Sequence, residues 1–374
     1  MPHEHHFWWR FYPHKELTQV YLSSAVRGFA NSIVGLFVPL YLYLELGYSL
    51  PATLSLFVFF ALTLAVSSPF AAKFAAKYGC KHSILVSTPL YILFTMLLYT
   101  LPVFKVPLWL LGILAGVSIA FYWMGMHLEF SKVSDHKHRG EEVGKRDGIT
   151  ILGTLAGPIA GGVIIQQFGF KPAFILSSII LFISALFLFL SKDKHTHYNF
   201  HFKELWDKRH WKYSLFFISR GTRVMAAGVI WPLFVFAVLN DYFTLGALES
   251  ILAAGGALLL WLSGKFSDRI NKSKILHWVA PFESFSWFLR AIIATPLQAL
   301  GITIFGSITY GAYESPAGAL EYDRAGKNVL AYFVGREVFI CVGRLLVLGM
   351  VLLTDTLTHG LVLNGFAMLA AFLF

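Results

Sequence analysis

The sequence has little charge and almost no cysteine. Only 13% of its 374 residues are charged, whereas 57% are hydrophobic, and soluble domains carry about 25% charged residues. A soluble chain of this length could not bury so much apolar surface, so the composition favours a protein embedded in a lipid bilayer. The two cysteines, Cys80 and Cys341, lie far apart and imply neither a disulfide framework nor a zinc site.

The chain also lacks a basic domain, although its formal net charge is +10. No folded polar segment presents a basic face, which argues against nucleic acid as a partner. Lysine and arginine lie instead in short loops between apolar segments, as in membrane proteins. The histidines of these loops suit a solvated surface, so we expect no metal site and no cofactor.

Apolar windows of about 20 residues, the length that crosses a bilayer core, predict twelve transmembrane helices. The predicted helices 1 to 12 span 17–43, 51–72, 82–102, 107–130, 145–167, 172–191, 213–239, 243–264, 275–293, 297–319, 328–353 and 357–374. The long polar segment 192–212 is predicted to be a cytoplasmic loop. It divides the chain into an N-terminal six-helix bundle, 1–191, and a C-terminal six-helix bundle, 213–374.

Basic residues are distributed unequally between the two sets of loops. If the N-terminus is inside, the outer loops hold only Lys105 and Lys171, and all other loop lysines and arginines are inside. This asymmetry predicts a multi-pass protein of the cytoplasmic (inner) membrane with both termini in the cytoplasm. The last predicted helix stops at Phe374, so this helix is either naturally short or truncated.

A spaced pattern of residues occurs twice along the chain. Predicted helix 1 contains Arg27-Gly28, Gly35 and Pro39-Leu40, and predicted helix 7 contains Arg220-Gly221, Gly228 and Pro232-Leu233. Each member recurs 193 positions later, as from 27 to 220. An even number of helices per copy preserves orientation, so the pattern predicts parallel repeats with the substrate path between them.

Two further motifs occupy one loop and one helix. The loop after predicted helix 8 reads GKFSDRINK and contains Gly264, Asp268 and Arg269, whereas its counterpart after predicted helix 2 has Ala76 in place of the aspartate. Small residues let helices approach closely in lipid, and a proline permits a bend. Predicted helix 5 combines both: Gly144, Gly153, Gly157, Pro158, Gly161 and Gly162.

These motifs resemble those of the major facilitator superfamily. The loop is similar to the signature G-x-L-x-D-R-x-G-R-K, and the glycine-rich helix is similar to one that the superfamily associates with proton-linked antiporters. The resemblance implies an all-α polytopic fold of two parallel six-helix repeats that transports by alternating access. It also implies that predicted helices 1, 4, 7 and 10 line a central cavity. Independently of the resemblance, Asp268 would either lie in a solvated turn or pair with Arg269 or with a helix N-terminus of the other half in one conformation only.

Ionisable side chains at membrane depth cost about 2.5–3.5 kcal/mol each on insertion scales, so they are functional candidates. Arginines in the cavity would suit an anionic substrate group, and aromatic side chains would suit an amphipathic or aromatic compound or a sugar ring. The sequence leaves both alternatives open. The resemblance selects as cavity residues Arg27, Asn31, Tyr122, Trp123, His127, Arg220, Arg223, Trp231, Tyr310, Tyr313 and Glu314.

The repeat predicts two equivalent ion pairs, Arg27 with Asp147 and Arg220 with Glu337. These pairs would either hold each half together or exchange partners as the halves move. Proton coupling requires a group that titrates in the working range, for which His127 and a buried Glu314 are the candidates.

We therefore predict a monomeric secondary transporter, not an enzyme, with a small-molecule substrate and possible proton antiport of the drug- or metabolite-efflux type. One alternative is a receptor or regulator with this fold that does not transport, which Ala76 mildly favours. A less favoured alternative is a membrane-embedded enzyme. That class requires a clustered catalytic set, and the nearest candidate is Asp135 beside His136 in a polar linker.

Overall fold

The computed structural model describes residues 15–133, 139–189, 213–267, 271–325 and 329–374. These residues form twelve long helices and no strand, which confirms the predicted all-α polytopic fold. The N-terminal half contains α1 (Lys15–Val34), α2 (Leu50–Tyr78), α3 (Cys80–Phe104), α4 (Leu108–Val133), α5 (Arg139–Phe168) and α6 (Phe170–Phe189). The C-terminal half contains α7 (Ser214–Met225), α8 (Tyr242–Ser267), α9 (Lys272–Arg290), α10 (Pro296–Arg324), α11 (Val329–Thr354) and α12 (Leu357–Met368, then Leu369–Leu373).

Three helices extend well beyond the spans that the hydropathy pattern predicts. α2 continues to Tyr78 rather than ending at 72, α5 begins at Arg139 rather than at 145, and α10 continues to Arg324 rather than ending at 319. Charged residues at these ends lower the local hydropathy, so the apolar windows from which the spans were predicted stop before the helices end. The charge does not end α10, because Glu321 is buried there beside arginines.

α1 and α7 are both interrupted at equivalent places in the repeat. Pro39 and Pro232 lie within these interruptions, where each proline lacks the N–H that a regular helix would use. The interrupted segments are Gly35–Phe37, Val38–Leu40 and Tyr41–Glu45 after α1, and Ala226–Ile230 and Trp231–Leu239 after α7. Short 3₁₀ and π turns of this kind often mark functional sites in helices.

Single glycines join two pairs of helices. Gly79 separates α2 from α3 with a φ of 108°, and Gly169 separates α5 from α6 with a φ of 78°. Positive φ strains residues that carry a Cβ, so glycine permits the chain to reverse here within one residue.

Eight of the described helical segments are long and apolar enough to cross a membrane. Of the other four helices, α5, α9 and α10 carry charged residues, and the α12 segment Leu357–Leu373 is shorter but apolar. Large apolar side chains face outward, for example Leu353 at 88% exposure and Trp278 at 77%. Such a surface is compatible with lipid rather than with water.

The two halves pack in the same way. In the N-terminal half, α1 contacts α5 and α6, α2 contacts α4, and α3 contacts α4 and α6. Six helices later, α7 contacts α11 and α12, α8 contacts α10, and α9 contacts α10 and α12. Between the halves, α5 contacts α8 and α2 contacts α11. These two contacts are equivalent, because α11 is the counterpart of α5 and α8 is the counterpart of α2. The arrangement agrees with two parallel repeats.

The glycines of α5 lie where other helices approach most closely. A Cβ on Gly157 would lie 2.7 Å from Cβ of Ser32 on α1, and one on Gly162 would lie 2.5 Å from the carbonyl oxygen of Tyr242. Gly161 likewise faces Ile33 of α1. The motif therefore allows α5 to pack closely against α1 of its own half and against α8 of the other half.

The halves contact each other near both ends of the bundle. We call the end where α1 begins and α12 ends the terminal side, and the other end the opposite side. On the opposite side, the ring of Tyr242 lies 6.2 Å from Phe37 and 5.5 Å from Phe170. On the terminal side, His127 of α4 stacks on Phe333 of α11 at 4.4 Å.

Candidate functional site

Two arginines on α7 begin a buried cluster of charged side chains. Arg220 and Arg223 are about one helical turn apart and so lie on the same face. Glu314 of α10 accepts hydrogen bonds from both terminal nitrogens of Arg220, and Nε of Arg220 lies 3.1 Å from Oε1 of Glu321. This bidentate contact fixes the planar guanidinium against the carboxylate.

Arg223 links this pair to α9. Its Nε lies 3.3 Å from Oε1 of Glu283, and its Nη1 lies 4.0 Å from Oε2 of Glu314. Its guanidinium also lies 4.1 Å from the centre of the Tyr310 ring. Tyr310 and Glu314 are about one turn apart on α10 and share Arg223 as a partner, while Tyr313 is fully buried.

The cluster continues from α10 to α11. Nε of Arg336 lies 2.7 Å from Oε2 of Glu321, and Nη1 of Arg336 donates to Glu337. The predicted pair of Arg220 with Glu337 is therefore wrong for this structure. Arg220 is engaged by two carboxylates of α10, and Glu337 is engaged by the arginine beside it.

His127 connects this cluster to the N-terminal half. Its Nδ1 lies 2.8 Å from the hydroxyl of Tyr322 on α10, and its Nε2 lies 3.7 Å from Glu337 and 3.4 Å from Arg336 on α11. The ring lies between Phe333 and Trp123, a residue of its own helix. His127 is 3% exposed, so these contacts replace water around it.

Charge is not balanced within this linked chain of groups. The described side chains within ion-pair distance of one another contribute four carboxylates, three guanidinium groups and one imidazole. With a neutral imidazole these eight groups carry one net negative charge, and two further buried arginines interact with the ends of the chain, Arg290 with Glu283 and Arg344 with Glu337. The groups are Glu283, Arg223, Glu314, Arg220, Glu321, Arg336, Glu337 and His127.

Arg27 of α1 has quite different surroundings. Its Nη1 donates to the hydroxyls of Ser87 and Thr88 at 2.8 and 3.3 Å. Its guanidinium lies 4.1 Å from the ring of Tyr122 and 5.7 Å from that of Tyr91. The side chain of its predicted partner Asp147 lies outside the part of the chain that the structure describes, so the pair stays a prediction.

The remaining cavity candidates lie closer to the opposite side. The indole Nε1 of Trp231 donates to Glu249 at 2.9 Å, and the guanidinium of Arg290 lies 5.2 Å from its ring. Asn31 is partly buried on α1, and its Oδ1 has no hydrogen-bond partner among the described residues.

Glu283, Glu321 and Arg336 are members of the cluster that were not among the predicted site residues, and Glu321 also lay outside the predicted helices. The predicted helix 10 ended at 319, and the following EYDR segment was therefore assigned to a loop. The i, i+7 spacing of Glu314 and Glu321 places them on one helical face, and this spacing could have identified the second carboxylate.

Several predicted residues cannot be located in this site. Asp268 and Arg269 lie outside the described residues. The same holds for the surroundings of Gly144, Gly153 and Gly264, although the backbones of these glycines lie within α5 and α8. Among the described residues, no group of three or more histidine, cysteine or acidic side chains could hold a metal ion.

A surface cavity of about 420 Å³ lies at the seam between the halves on the opposite side. It is lined by residues from both halves: Leu44, Glu45, Ile165, Gln166, Phe236, Asn240, Asp241 and Tyr242. Asp241 accepts hydrogen bonds from the backbone N–H and the hydroxyl of Thr244. The hydroxyl bond is the main reason that the pKa of Asp241 is below its usual value.

Comparison with known proteins gives a consistent result. The model of the Major Facilitator Superfamily matches residues 20–348. The multidrug resistance protein MdtG of Salmonella typhi is 30% identical over 283 residues, which cover 70% of this chain and 69% of MdtG. MdtG of Salmonella choleraesuis strain SC-B67 matches with the same identity and coverage.

Solved structures of the same fold also match over nearly the whole chain. The crystal structure of the E. coli fucose:proton symporter FucP has a TM-score of 0.69 and covers 95% of this chain and 97% of its own. FucP in the outward conformation gives a TM-score of 0.69 with 96% and 98% coverage. The sequence identities are only 11% and 12%, so this likeness concerns the fold alone.

Proposed function

Since the chain belongs to the Major Facilitator Superfamily, we propose that it is a proton-coupled antiporter that exports amphipathic or aromatic small molecules by alternating access. The protein would act in the cytoplasmic membrane as a monomer, with both termini in the cytoplasm. The terminal side would then face the cytoplasm, and the two halves would rock about a site between them. We propose transport rather than catalysis.

The observation that carries proton coupling is the continuous chain of buried charges, which contains a histidine at the contact between the halves. A proton taken up by one of these groups changes the charge of the chain by one unit, and release of this proton restores the original charge. Low-dielectric surroundings make this difference large, so the protonation state would bias the conformation. Protonated and deprotonated forms of the same network would then favour different arrangements of the halves.

Glu314 and His127 are the proposed proton sites, for different reasons. Glu314 lies between Arg220 and Arg223, which stabilise its charged form, so proton uptake there requires the bidentate contact with Arg220 to open. His127 faces Tyr322 from α10 and Arg336 and Glu337 from α11. A proton on its ring would strengthen the contact with Glu337 and weaken the one with Arg336, so protonation would change the contact between the halves.

Two observations support an aromatic or amphipathic substrate. The arginines of α7 are neutralised by glutamates, which leaves Tyr122, Trp123 and Tyr310 as the contact surface of the four cavity-lining helices. In addition, the relatives from Salmonella are named multidrug resistance proteins. Pockets for drug-sized compounds are mostly apolar and aromatic with a few polar groups.

Uptake into proteoliposomes, measured with and without a pH gradient over a panel of aromatic compounds, tests the proposal. We expect accumulation only when the gradient is present. Glu314→Gln and His127→Gln keep the size of each side chain but remove its ability to carry a proton. At least one of them should abolish gradient-driven accumulation while leaving exchange between substrate molecules.

Matched controls are available away from the cluster. Glu45→Gln alters an exposed carboxylate on the opposite side, and His277→Gln alters a histidine of α9 that packs on Phe372. Both should leave the pH response intact. If Glu314→Gln and His127→Gln also left it intact, the proton sites would be wrong. No uptake or exchange of any compound by a folded protein would favour a receptor that does not transport.

A further inference from the structure

Arg27 and Arg220 occupy equivalent positions of the repeat but have opposite electrostatic surroundings. Arg220 contacts the carboxylates of Glu314 and Glu321. Arg27 contacts two hydroxyl groups and two tyrosine rings, and none of its described contacts is with an acidic side chain. One arginine is therefore neutralised by its own half, and the other is surrounded by neutral groups.

The tyrosines stand where the C-terminal half has glutamates. Tyr122 and Glu314 are 192 positions apart, and so are Tyr91 and Glu283, close to the 193 that separates Arg27 from Arg220. Tyr122 and Glu314 both contact the arginine of the equivalent position in their own half. The N-terminal half therefore keeps the arginine but has an aromatic side chain in place of the counter-ion.

The hydrogen-bonding state of Arg27 points to a missing anion. The side chain is only 2% exposed, yet its Nε and Nη2 have no hydrogen-bond partner among the described residues. Buried charged donors without partners are costly, and cation–π contacts compensate only part of a buried charge. A buried polar group in this state calls for a ligand, an ion or water.

The positions of Nε and Nη2 on the guanidinium indicate which kind of anionic group could accept from both. Nε and Nη2 lie on the same edge of the guanidinium, and their N–H bonds point in parallel directions. This edge matches two oxygens of one carboxylate, sulfonate or phosphate group, which it can bind side-on. Nη1, on the other edge, donates to Ser87 and Thr88, which fixes the orientation of the guanidinium and of its unpartnered edge.

We propose that Arg27 binds an anionic group of the transported compound through Nε and Nη2, with the rings of Tyr91 and Tyr122 beside it. The claim that the bound compound is transported rests on the proposed function, whereas the claim that Arg27 binds an anionic group does not. It narrows the substrate to an aromatic or amphipathic organic anion. Asp147 is the competing partner for Arg27, and the experiment must separate the two.

The first test uses two probes of one shape, 1-naphthoate and its uncharged amide, 1-naphthamide. Their affinities for the purified full-length protein are measured by calorimetry. We expect wild type to bind the carboxylate about tenfold or more tightly than the amide. Arg27→Gln should remove this preference, and Arg27→Lys should retain part of it, because lysine keeps the charge without the fork.

Arg344→Gln is the matched control. Arg344 is also a buried arginine close to an aromatic ring, that of Phe60, but it lies on α11 outside the proposed site. This variant should keep the preference for the carboxylate. Equal affinities of wild type for the two probes would overturn the proposal, as would an unchanged preference in a folded Arg27→Gln variant.

A second variant keeps the proposal testable should Arg27→Gln fail to fold. Tyr122→Glu supplies the counter-ion that the C-terminal half has at this position. It should raise the melting temperature without ligand and abolish the preference for 1-naphthoate, whereas the uncharged Tyr122→Gln should not raise it. A Tyr122→Glu variant that still prefers the carboxylate would contradict the proposal.

Asp147→Asn separates the ligand from the competing ion pair. If a ligand supplies the anion, this variant should leave the affinity for 1-naphthoate unchanged. A large gain in affinity would show that Asp147 normally occupies the guanidinium, and it would overturn the proposal. Selective anion binding without transport would defeat only the proposed function, whereas gradient-driven transport without anion selectivity would defeat only this inference.

Discussion

Arg220 contacts two glutamates and Arg223 contacts a third, at a depth where an isolated charge would cost about 2.5–3.5 kcal/mol on insertion scales. Each charge in this cluster is stabilised by a neighbour of opposite sign rather than by water. Such networks make the removal of one member more damaging than the removal of a matched pair. The effect of a substitution in this cluster on the free energy of unfolding therefore depends on which buried charges it leaves without a partner of opposite sign.

The pair of Arg220 and Glu314 allows a direct test of this dependence. Arg220→Gln should destabilise the protein by about 3–5 kcal/mol, because it leaves buried carboxylates without their partner. The double variant Arg220→Gln/Glu314→Gln should be more stable than Arg220→Gln alone. Thermal unfolding in detergent measures both.

A surface pair provides the control for this comparison. Lys272 and Asp323 lie 2.7 Å apart near the terminal side, and Lys272→Gln should change the free energy of unfolding by only about 0–1 kcal/mol. A double variant as unstable as the sum of its single variants would show that Arg220 and Glu314 do not act as a pair.

At the scale of the helix, small residues decide how closely α5 approaches its neighbours. Gly162 contacts the backbone of α8, and Gly246 of α8 contacts the backbone of Pro158. The two helices therefore touch through main-chain atoms, with no room for an added side chain. This contact joins the halves, so the glycine motif is an element of the interface as well as of α5.

Gly162→Ala tests the tightness of the α5–α8 contact. An added Cβ would lie 2.5 Å from the carbonyl oxygen of Tyr242, so the helices must separate. We expect a loss of about 1–3 kcal/mol in stability, measured by thermal unfolding. Gly301→Ala on α10, where no atom lies within 4 Å of the added Cβ, should be neutral or stabilising. Equal effects of the two variants would contradict the close approach.

The start of α8 should respond to acid through Asp241. Hydrogen bonds from Thr244 hold the pKa of Asp241 below its usual value of about 3.9. The carboxylate therefore stabilises the fold above that value, and this contribution is lost as the pH falls through the lowered folded-state pKa.

Asp241→Asn keeps an acceptor at the helix start but does not titrate. We expect the variant to be less stable than wild type at pH 7 and to lose part of this disadvantage at pH 3, as measured by melting temperature. Asp241→Ala should cost about 1 kcal/mol at pH 7. A constant difference between wild type and Asp241→Asn at both pH values would exclude the carboxylate as the source.

On the scale of the whole molecule, the proposed alternating-access mechanism requires the contacts between the halves on the two sides to open in turn. On the opposite side, the backbone N–H of Ile159 on α5 donates to the hydroxyl of Ser250 on α8 at 3.2 Å. This contact crosses the interface, so it should separate when the opposite side opens.

A disulfide placed at this contact should stop transport. Ile159→Cys/Ser250→Cys, in a background without Cys80 and Cys341, should lose transport upon oxidation and regain it upon reduction. The control is Ser23→Cys/Ser184→Cys, which joins α1 to α6 within one half, where the hydroxyl of Ser23 donates to the carbonyl of Ser184 at 2.8 Å. Transport that continues in the oxidised Ile159→Cys/Ser250→Cys variant would show that these helices stay together throughout the cycle.

The sequence by itself determined the twelve helices, their division into two similar halves and the superfamily. Hydropathy depends on local composition, and the repeat depends on residue identity at fixed spacing, so neither needs knowledge of the packing. The domain boundaries around 192–212 and the placement of the termini in the cytoplasm remain predictions of the same kind.

Only the tertiary structure decided which charges meet. Arg220 was predicted to pair with Glu337, because the repeat relates whole helices and does not specify how each is rotated about its axis. The rotation of α7 and α10 instead turns Arg220 toward Glu314 and Glu321. The same packing places His127 against the other half and leaves Arg27 among tyrosines. Partners are chosen by the faces that helices present to each other, and packing of the whole bundle sets those faces.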